Sequence, residues 1–292
     1  GDGDTTFREA SCVSNNNSES DTITFSTGSG TITLGSTWPW YVSAEGVILD
    51  GNGEITMDCD ASYAFLVAPS GSQNITVKGF TFDNGCNINF AEGGADNVAG
   101  GSDVTDRNIF LKGTSSVTYF ITARSADTTV ENNYIGVESD GVTTDASYGI
   151  YVGSADLGTL TIKDNVIATS GGWTYSLVLN GTHTGTILFT GNYVGLGADG
   201  LTDLGNTVGL RLTGGGAKNV VIGGDEASER NYFAGAPWGL GALGVDGTWP
   251  TDSSVTISGN YMGTNAAGTA AVGNGVAIEV SADCSAATCV IG

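Results

Sequence analysis

The chain writes one phrase three times. Asn133-Tyr134-Ile135-Gly136, Asn192-Tyr193-Val194-Gly195 and Asn260-Tyr261-Met262-Gly263 each have a second glycine five residues past the first: Gly141, Gly200 and Gly268. Each copy then leads into an alternating apolar segment, GIYV at 149–152, GLRL at 209–212 and VAIEV at 276–280. The copies start 59 and 68 residues apart. A period that long holds two or three turns of a smaller unit. Self-similarity of this kind specifies a stacked, quasi-one-dimensional architecture.

Residues 46–292 read as short β-branched and aromatic runs bounded by Gly, Asn, Asp and Ser, such as VILD (47–50), ITVKGFTF (75–82), LTIKDNVI (160–167) and VTIS (255–258). No amphipathic helical period follows residue 20. The chain is all-β. A sandwich or barrel needs longer, cleanly alternating antiparallel strands, and a propeller needs a regular four-strand blade. Aligning ILDG (48–51), TVKG (76–79) and FLKG (110–113) gives steps of 28 and 34. Asn133, Asn165, Asn192, Asn231 and Asn260 are 32, 27, 39 and 29 apart. Variable steps around a constant strand core select a single-stranded parallel β-helix. We expect 1–45 to form an N-terminal cap with first strands, and 46–292 one continuous solenoid.

The repeated phrase then has a physical meaning. Asn tolerates a left-handed backbone and can bond its amide to the same Asn one coil away. The aliphatic residue points into the core, and Gly releases the chain into the next bend. Tyr134, Tyr193 and Tyr261 either stack as an outer ladder or fill a corner of the core.

The net charge is −22, with only nine Lys and Arg. Nucleic-acid binding needs a basic footprint that this chain lacks. Anionic lipid surfaces are disfavoured in the same way. No run of about 18 apolar residues exists, so no membrane insertion is expected. An acidic, Lys-poor surface rich in Ser, Thr, Asn and Gly points to an extracellular or cell-surface protein. The chain begins at Gly1, which suggests a processed product. Sequons at Asn16, Asn74 and Asn180 permit N-glycosylation.

Five cysteines occur, with no CxxC pair and one His, which disfavours a Cys/His zinc site. Cys59 and Cys86 lie 27 residues apart, about one coil, and would stack within disulfide reach. Cys284 and Cys289 could close a small loop. Cys12 is then left to pair with a neighbouring molecule, unless the pairing differs. Free buried thiols are the alternative.

Two regions resemble a known family. TTFREA (5–10), DTITF (21–25) and GTITLGS (30–36) resemble the CSLREA-type segment that opens many secreted bacterial and archaeal β-helix proteins. Thr5 stands where that motif has its first Cys, and Phe7 where it has Leu. Arg8, Glu9 and Ala10 match. GNYVGLGADGLTDLGN (191–206), VIGGDEASERNYFAG (221–235) and GNYMGTNAAGTAAVGN (259–274) look like the repeats of the same family. The resemblance implies an exported, right-handed parallel β-helix of the pectate-lyase-like fold with an N-terminal cap. It implies no activity, because fold carries function poorly. Residues 5–14 could make a short helix with Phe7 and Ala10 inward and Arg8 free to pair with Glu9 or an acidic neighbour, covering the first strand edge. The last residues, ATCVIG (287–292), read as a strand with no lid after it.

Catalytic chemistry is scarce. The Asn-Thr-Asp, Asp-Asp, Gly-His-Gly and Arg-Ile-Lys series of polygalacturonases are absent, and a −22 surface repels a polyuronate. His183 in GTHTG (181–185) reads as a solvated turn residue. Asp140 with Asp199, and Asp145 with Asp203, sit at equivalent places and could form a glycosidase pair, although Ala267 replaces Asp in the third copy. Turn-favouring Asp-Gly is the simpler reading. Calcium is the one cofactor weighed, on Asp50, Asp58 and Asp60 or on Asp96, Asp103 and Asp106. No catalytic or metal residue is assigned.

The expected function is structural: an extracellular β-helical subunit that assembles with itself end to end as a filament or surface layer. The alternatives are a polysaccharide-binding or polysaccharide-cleaving protein, with Trp173, Tyr175, Trp238 and Trp249 as sugar platforms, and an adhesin or phage fibre.

Overall fold

The computed structural model describes residues 6–16, 19–26, 28–34, 40–59, 66–112, 119–145, 149–153, 155–169, 175–179, 182–205, 208–215, 218–236 and 242–292. They form a parallel β-solenoid. Strands stack coil on coil into a 17-stranded sheet and a 9-stranded sheet. Pairing is parallel, with the same register carried from rung to rung: Thr129 beside Thr161, Leu188 beside Val221, Thr256 beside Val290. Parallel neighbours require a crossover. Here each crossover is the rest of one coil.

The larger sheet folds at a corner. In the early coils one strand runs through it: Ile48–Asp58 pairs with Thr76–Asp83, and their register shifts between Asp50 and Ile55. Gly79 sits in this bend at φ +72, where an added Cβ would lie 2.7 Å from Asn52 N and from Thr105 O. Only glycine fits that approach. Later coils break the strand there and place a buried asparagine instead.

The FLKG alignment does not hold. Phe110 pairs with Phe82, beyond the corner, while Thr76 pairs with Val98. The coil between them is short, and its inward Ala99 carries no aliphatic signal. The Asn–Tyr phrases do mark one place on the coil. Copies one coil apart from them, Val166–Ile167 and Tyr232–Phe233, lie between. The long sequence period is therefore two coils.

The loops explain why. Each phrase opens a loop closed by an antiparallel bridge: Val137 with Thr144, Leu196 with Asp203, Thr264 with Ala271. Such a loop is two strands thick, about twice the ~4.8 Å rung spacing. It spans the height of two coils. Successive loops then touch directly, with Ala198 N donating to Gly141 O and Ala266 N to Gly200 O, both at 2.9 Å.

The core changes character along the axis. Near the first coils it is an aromatic chain, Phe7–Phe25–Phe80–Phe82–Phe110–Phe120, with successive centroids 4.8 to 5.8 Å apart. Further on aliphatic rows predominate, beside the buried Phe189, Phe233 and Trp249. Leu160, Ile187, Val220 and Val255 form one inward row, and Leu177, Leu210 and Leu243 another. Each such side chain contributes about 1.5–3 kcal/mol on burial.

Helix Phe7–Asn15 covers the first rung. Its start is fixed by a capping box: Thr6 Oγ1 accepts from Glu9 N at 3.2 Å, and Glu9 Oε2 accepts from Thr6 N at 2.8 Å. Glu9 is thereby engaged by Thr6; the side chain of Arg8 lies outside the described residues. Phe7 and Ala10 pack against the core. No helix among the described residues is long and apolar enough to cross a membrane.

Candidate functional site

The repeated asparagines build a ladder up the corner. Asn108, Asn133, Asn165, Asn192 and Asn231 are fully buried. Each donates its Nδ2 to the Oδ1 of the next rung's Asn, ending at Asn260, over 2.9 to 3.1 Å. The same Oδ1 also accepts the backbone N–H of the asparagine before it. The Nδ2 reaches main-chain carbonyls as well, for Asn165 those of Val130 and Lys163 at 2.9 Å. Buried polar groups cost little only when satisfied, and these are. The ladder residues do not take the left-handed backbone expected of them. That conformation falls one position earlier, at Asn132, Asp164, Gly191 and Gly259. The residue entering the corner makes the sharp bend, leaving the ladder Asn free to point inward. Gly136, Gly195 and Gly263 leave the corner at φ +68, +77 and +77.

The tyrosines divide. Tyr193 stacks on Tyr232 at 4.7 Å, and Tyr232 meets Tyr261 edge-on at 5.6 Å. Tyr134 is buried beside Val137, Val166 and Ala168. A second repeat stands here that sequence reading missed: GGSDVTDRNIF (100–110) and GGDEASERNYF (223–233). Each places a short turn, Val104–Asp106 or Ala227–Glu229, before an Arg and a ladder Asn. Arg107 lies 4.0 Å over the Tyr134 ring and Arg230 4.3 Å over Tyr261. The spaced glycines, acid, Arg and Asn were visible as letters, but the two copies are four coils apart.

The acidic candidates are committed to their own turns. Asp140 accepts from Val142 N, Thr143 N and Thr143 Oγ1 at 2.9, 2.8 and 2.6 Å. Asp199 does the same with Leu201 and Thr202. The threonine hydroxyls, then the backbone amides, hold both carboxyls below the usual carboxylate range. Neither is suited to donate a proton near neutrality. In the third copy Asn265 takes the turn, accepting from Thr269 N at 2.8 Å. Asp203 accepts from Gly205 N at 2.9 Å, and Asp145 N donates to Gly136 O.

The calcium candidates are likewise distributed. Lys78 Nζ sits between Asp106 at 2.8 Å and Asp50 at 3.4 Å, where a cation would have to sit. The Asp106 hydrogen bond raises the Lys78 pKa. Asp58 accepts from Asn84 Nδ2, Asp96 holds a left-handed turn, the Asp103 carbonyl accepts from Asn132, and Asp60 lies outside the described residues. Among the described residues no group of three His, Cys, Asp or Glu is placed to hold a metal.

Two residues read as surface features lie inside. His183 is fully buried and opens the strand His183–Thr190, beside Ala155 of the previous coil. At this corner the side chain turns into the coil rather than out to solvent. Trp249 is also fully buried, with Nε1 donating to Asp246 O at 3.1 Å, so it is no sugar platform. Its ring faces Lys218 Nζ at 4.8 Å. Lys218 is 1% exposed and donates to Thr213 O at 2.9 Å and Gly215 O at 2.8 Å. Burial pushes its pKa down to about 8. Tyr175 is half-buried, with the Arg211 guanidinium 5.9 Å from its ring; Trp173 and Trp238 lie outside the described residues.

Cys59 is bonded to Cys86, and Cys284 to Cys289. Cys12 is free and exposed on the helix. Asn74 is exposed at φ +56, Asn16 follows the helix and donates to Cys12 O, and Asn180 lies outside the described residues.

Among the described residues, the strands of both end rungs are paired on one side only. At the helix end, strands Thr22–Thr24 and Gly30–Thr33 pair on one side only, with Ile48–Asp58. A cavity of about 380 Å³ lies between Phe7 and Ala10 of the helix and Phe25 and Ile32 of these strands. At the other end, Ile278–Val280 and Thr288–Ile291 pair only with Leu243–Asp246 and Ser254–Ser258. Val280, Val290 and Ile291 are 48%, 48% and 51% exposed there. No family model matches this chain, and neither does any curated protein or solved structure searched.

Proposed function

We propose that this chain is an extracellular structural protein whose solenoids associate end to end, building a filament or a surface layer. The carrying observation is the rung formed by Ile278–Val280 and Thr288–Ile291, which offers two open strand edges and three exposed aliphatic side chains. A neighbouring strand added there gains main-chain hydrogen bonds and covers apolar surface without special side chains. The receiving surface is the opposite end, where the helix lies over the inward side chains and Thr22–Thr24 and Gly30–Thr33 are paired only with Ile48–Asp58 among the described residues. Parallel addition keeps the direction of every rung, so contacts run head to tail and do not close.

Two disulfides suit an oxidising compartment, in keeping with export. The capping box on Thr6 and Glu9 gives the CSLREA-like segment a physical role as the first-rung cover. Electron microscopy and sedimentation of the wild-type protein at rising concentration test the reading. We expect rods that lengthen in steps of one molecule. Val280→Lys with Ile291→Lys should leave monomers with an unchanged circular dichroism spectrum. Monodisperse wild-type monomers at high concentration overturn the proposal.

A further inference from the structure

The outer face of the larger sheet differs between its two halves. In the early coils it carries a charged row. Lys78 bridges Asp50 and Asp106, and Lys163 meets Glu131 at 2.7 Å. Beyond Lys163 the row stops. Strands His183–Thr190, Lys218–Gly223, Ser254–Ser258 and Thr288–Ile291 put no charged side chain outward. The charged Lys218 points into the coil.

What these four strands present instead is regular. Leu188, Val221, Thr256 and Val290 are paired in register and form one straight row up the axis. A parallel row holds Thr186, Asn219, Ser254 and Thr288, with Ser254 Oγ donating to Asn219 Oδ1 at 2.9 Å. The outward side chains of these strands are uncharged hydroxyl, amide and aliphatic groups.

We propose that this face is a lateral contact between two copies of the same chain. The argument is electrostatic. Each copy has a net charge of −22, so two copies repel over most of their surfaces. Close approach is cheapest where neither presents charge, and this is such a place. A face meeting its own copy across a two-fold axis is self-complementary, and rows at equal rung spacing can interdigitate as two sheets about 10 Å apart. A glycan would favour aromatic platforms, and these strands turn no aromatic ring outward.

The contact is small. Four rungs of about five residues cover roughly 300 Å² per copy, the scale of a weak, transient interface. It gains strength where many copies repeat it along an assembled rod. It does not depend on the end-to-end reading, because its central residues lie on interior rungs.

The test uses the end-blocked Val280→Lys/Ile291→Lys protein, so that axial association does not contribute. Sedimentation equilibrium is run at 0.05 and 0.5 M NaCl, concentrations chosen to span weak and strong screening. We expect a monomer–dimer equilibrium that tightens with salt, because screening removes the repulsion between the acidic bodies. Val221→Asp and, separately, Thr256→Asp should each weaken the dimer about tenfold or more. Thr76→Asp, on the charged half, should leave it unchanged. Val221 and Thr256 are half-buried on the outward side of their strands, and circular dichroism checks that each variant folds. A protein that stays monomeric at both salt concentrations, a dimer that salt weakens, or a dimer indifferent to both substitutions overturns the proposal.

Discussion

Ile23 and Ile291 occupy comparable places at opposite ends of the same column. Each points inward from a terminal rung, Ile23 beside Leu49 and Ile291 beside Ile257. Ile23 is 9% exposed and Ile291 is 51% exposed. The difference is the helix. Phe7 and Ala10 lie over the first rung, and nothing among the described residues lies over the last. Covering an isoleucine fully is worth about 1.5–3 kcal/mol, and an open parallel edge adds unpaired main-chain groups. A solenoid has only two places where that cost arises. This chain meets one with its own helix, and among the described residues the other stays exposed.

The same contrast runs through the interior, and breaking it there has the largest expected effect. Asn165 is a middle rung of the ladder, fully buried with bonds above and below. Asn260 is its partly exposed end, accepting from Asn231 and donating to Ile222 O and Ser258 O. Asn165→Ala strands several buried donors and acceptors at about 1–3 kcal/mol each, so we expect a loss of about 4 kcal/mol. Asn260→Ala should lose less than half of that. Urea unfolding midpoints of the two variants measure the gap; equal losses would mean that the ladder is not what ties the coils together.

That ladder was the most legible feature of the sequence, because Asn-Tyr-aliphatic-Gly is a rare phrase that recurs. Its first member, Asn108, was harder to see. It sits in RNIF (107–110) without the Tyr or the Gly, and it follows a coil whose inward position is only Ala99. The inward Lys218 and His183 were not legible at all. Strand patterns are read from apolar alternation, so a Lys or His facing inward counts as a break. Lys218 is tolerated only because Thr213 O, Gly215 O and the Trp249 ring converge on it. Those contacts come from two different coils. The two-coil period was legible as a number, but its cause, a loop two strands thick, lies in contacts between residues far apart in sequence.

The disulfides sharpen the comparison between early and late coils. Cys59–Cys86 spans 27 residues and ties two buried rungs, while Cys284–Cys289 spans five near the open end. Loop-closure entropy gives about 3.5 kcal/mol for the first and about 2 kcal/mol for the second. Replacing each pair with serine should order the melting temperatures accordingly. A larger fall for the Cys284 pair would place more structure at the open end than its exposure implies.

Lys218 supplies a smaller, pH-dependent effect. Its folded pKa of about 8 lies below the ordinary lysine value, so between pH 8 and about 10 the unfolded chain binds more protons than the folded one. Stability contributed by this group therefore rises with pH across that window, by up to about 3 kcal/mol. Below pH 8 both states hold the proton and the slope vanishes. Urea midpoints from pH 7 to 10 should climb for the wild type and flatten for Lys218→Met. An equal climb in the variant would assign the slope to another group.

The most direct test of an end left open for a neighbour is hydrogen exchange followed by mass spectrometry, in dilute and in concentrated solution. In dilute monomer, amides of 278–280 and 288–291 should exchange rapidly while those around Asn165 stay protected. On concentration, protection should appear at 278–291 and leave the Asn165 rungs as they were. Slow exchange of 278–291 in the dilute monomer, or no gain at any concentration, would contradict the account.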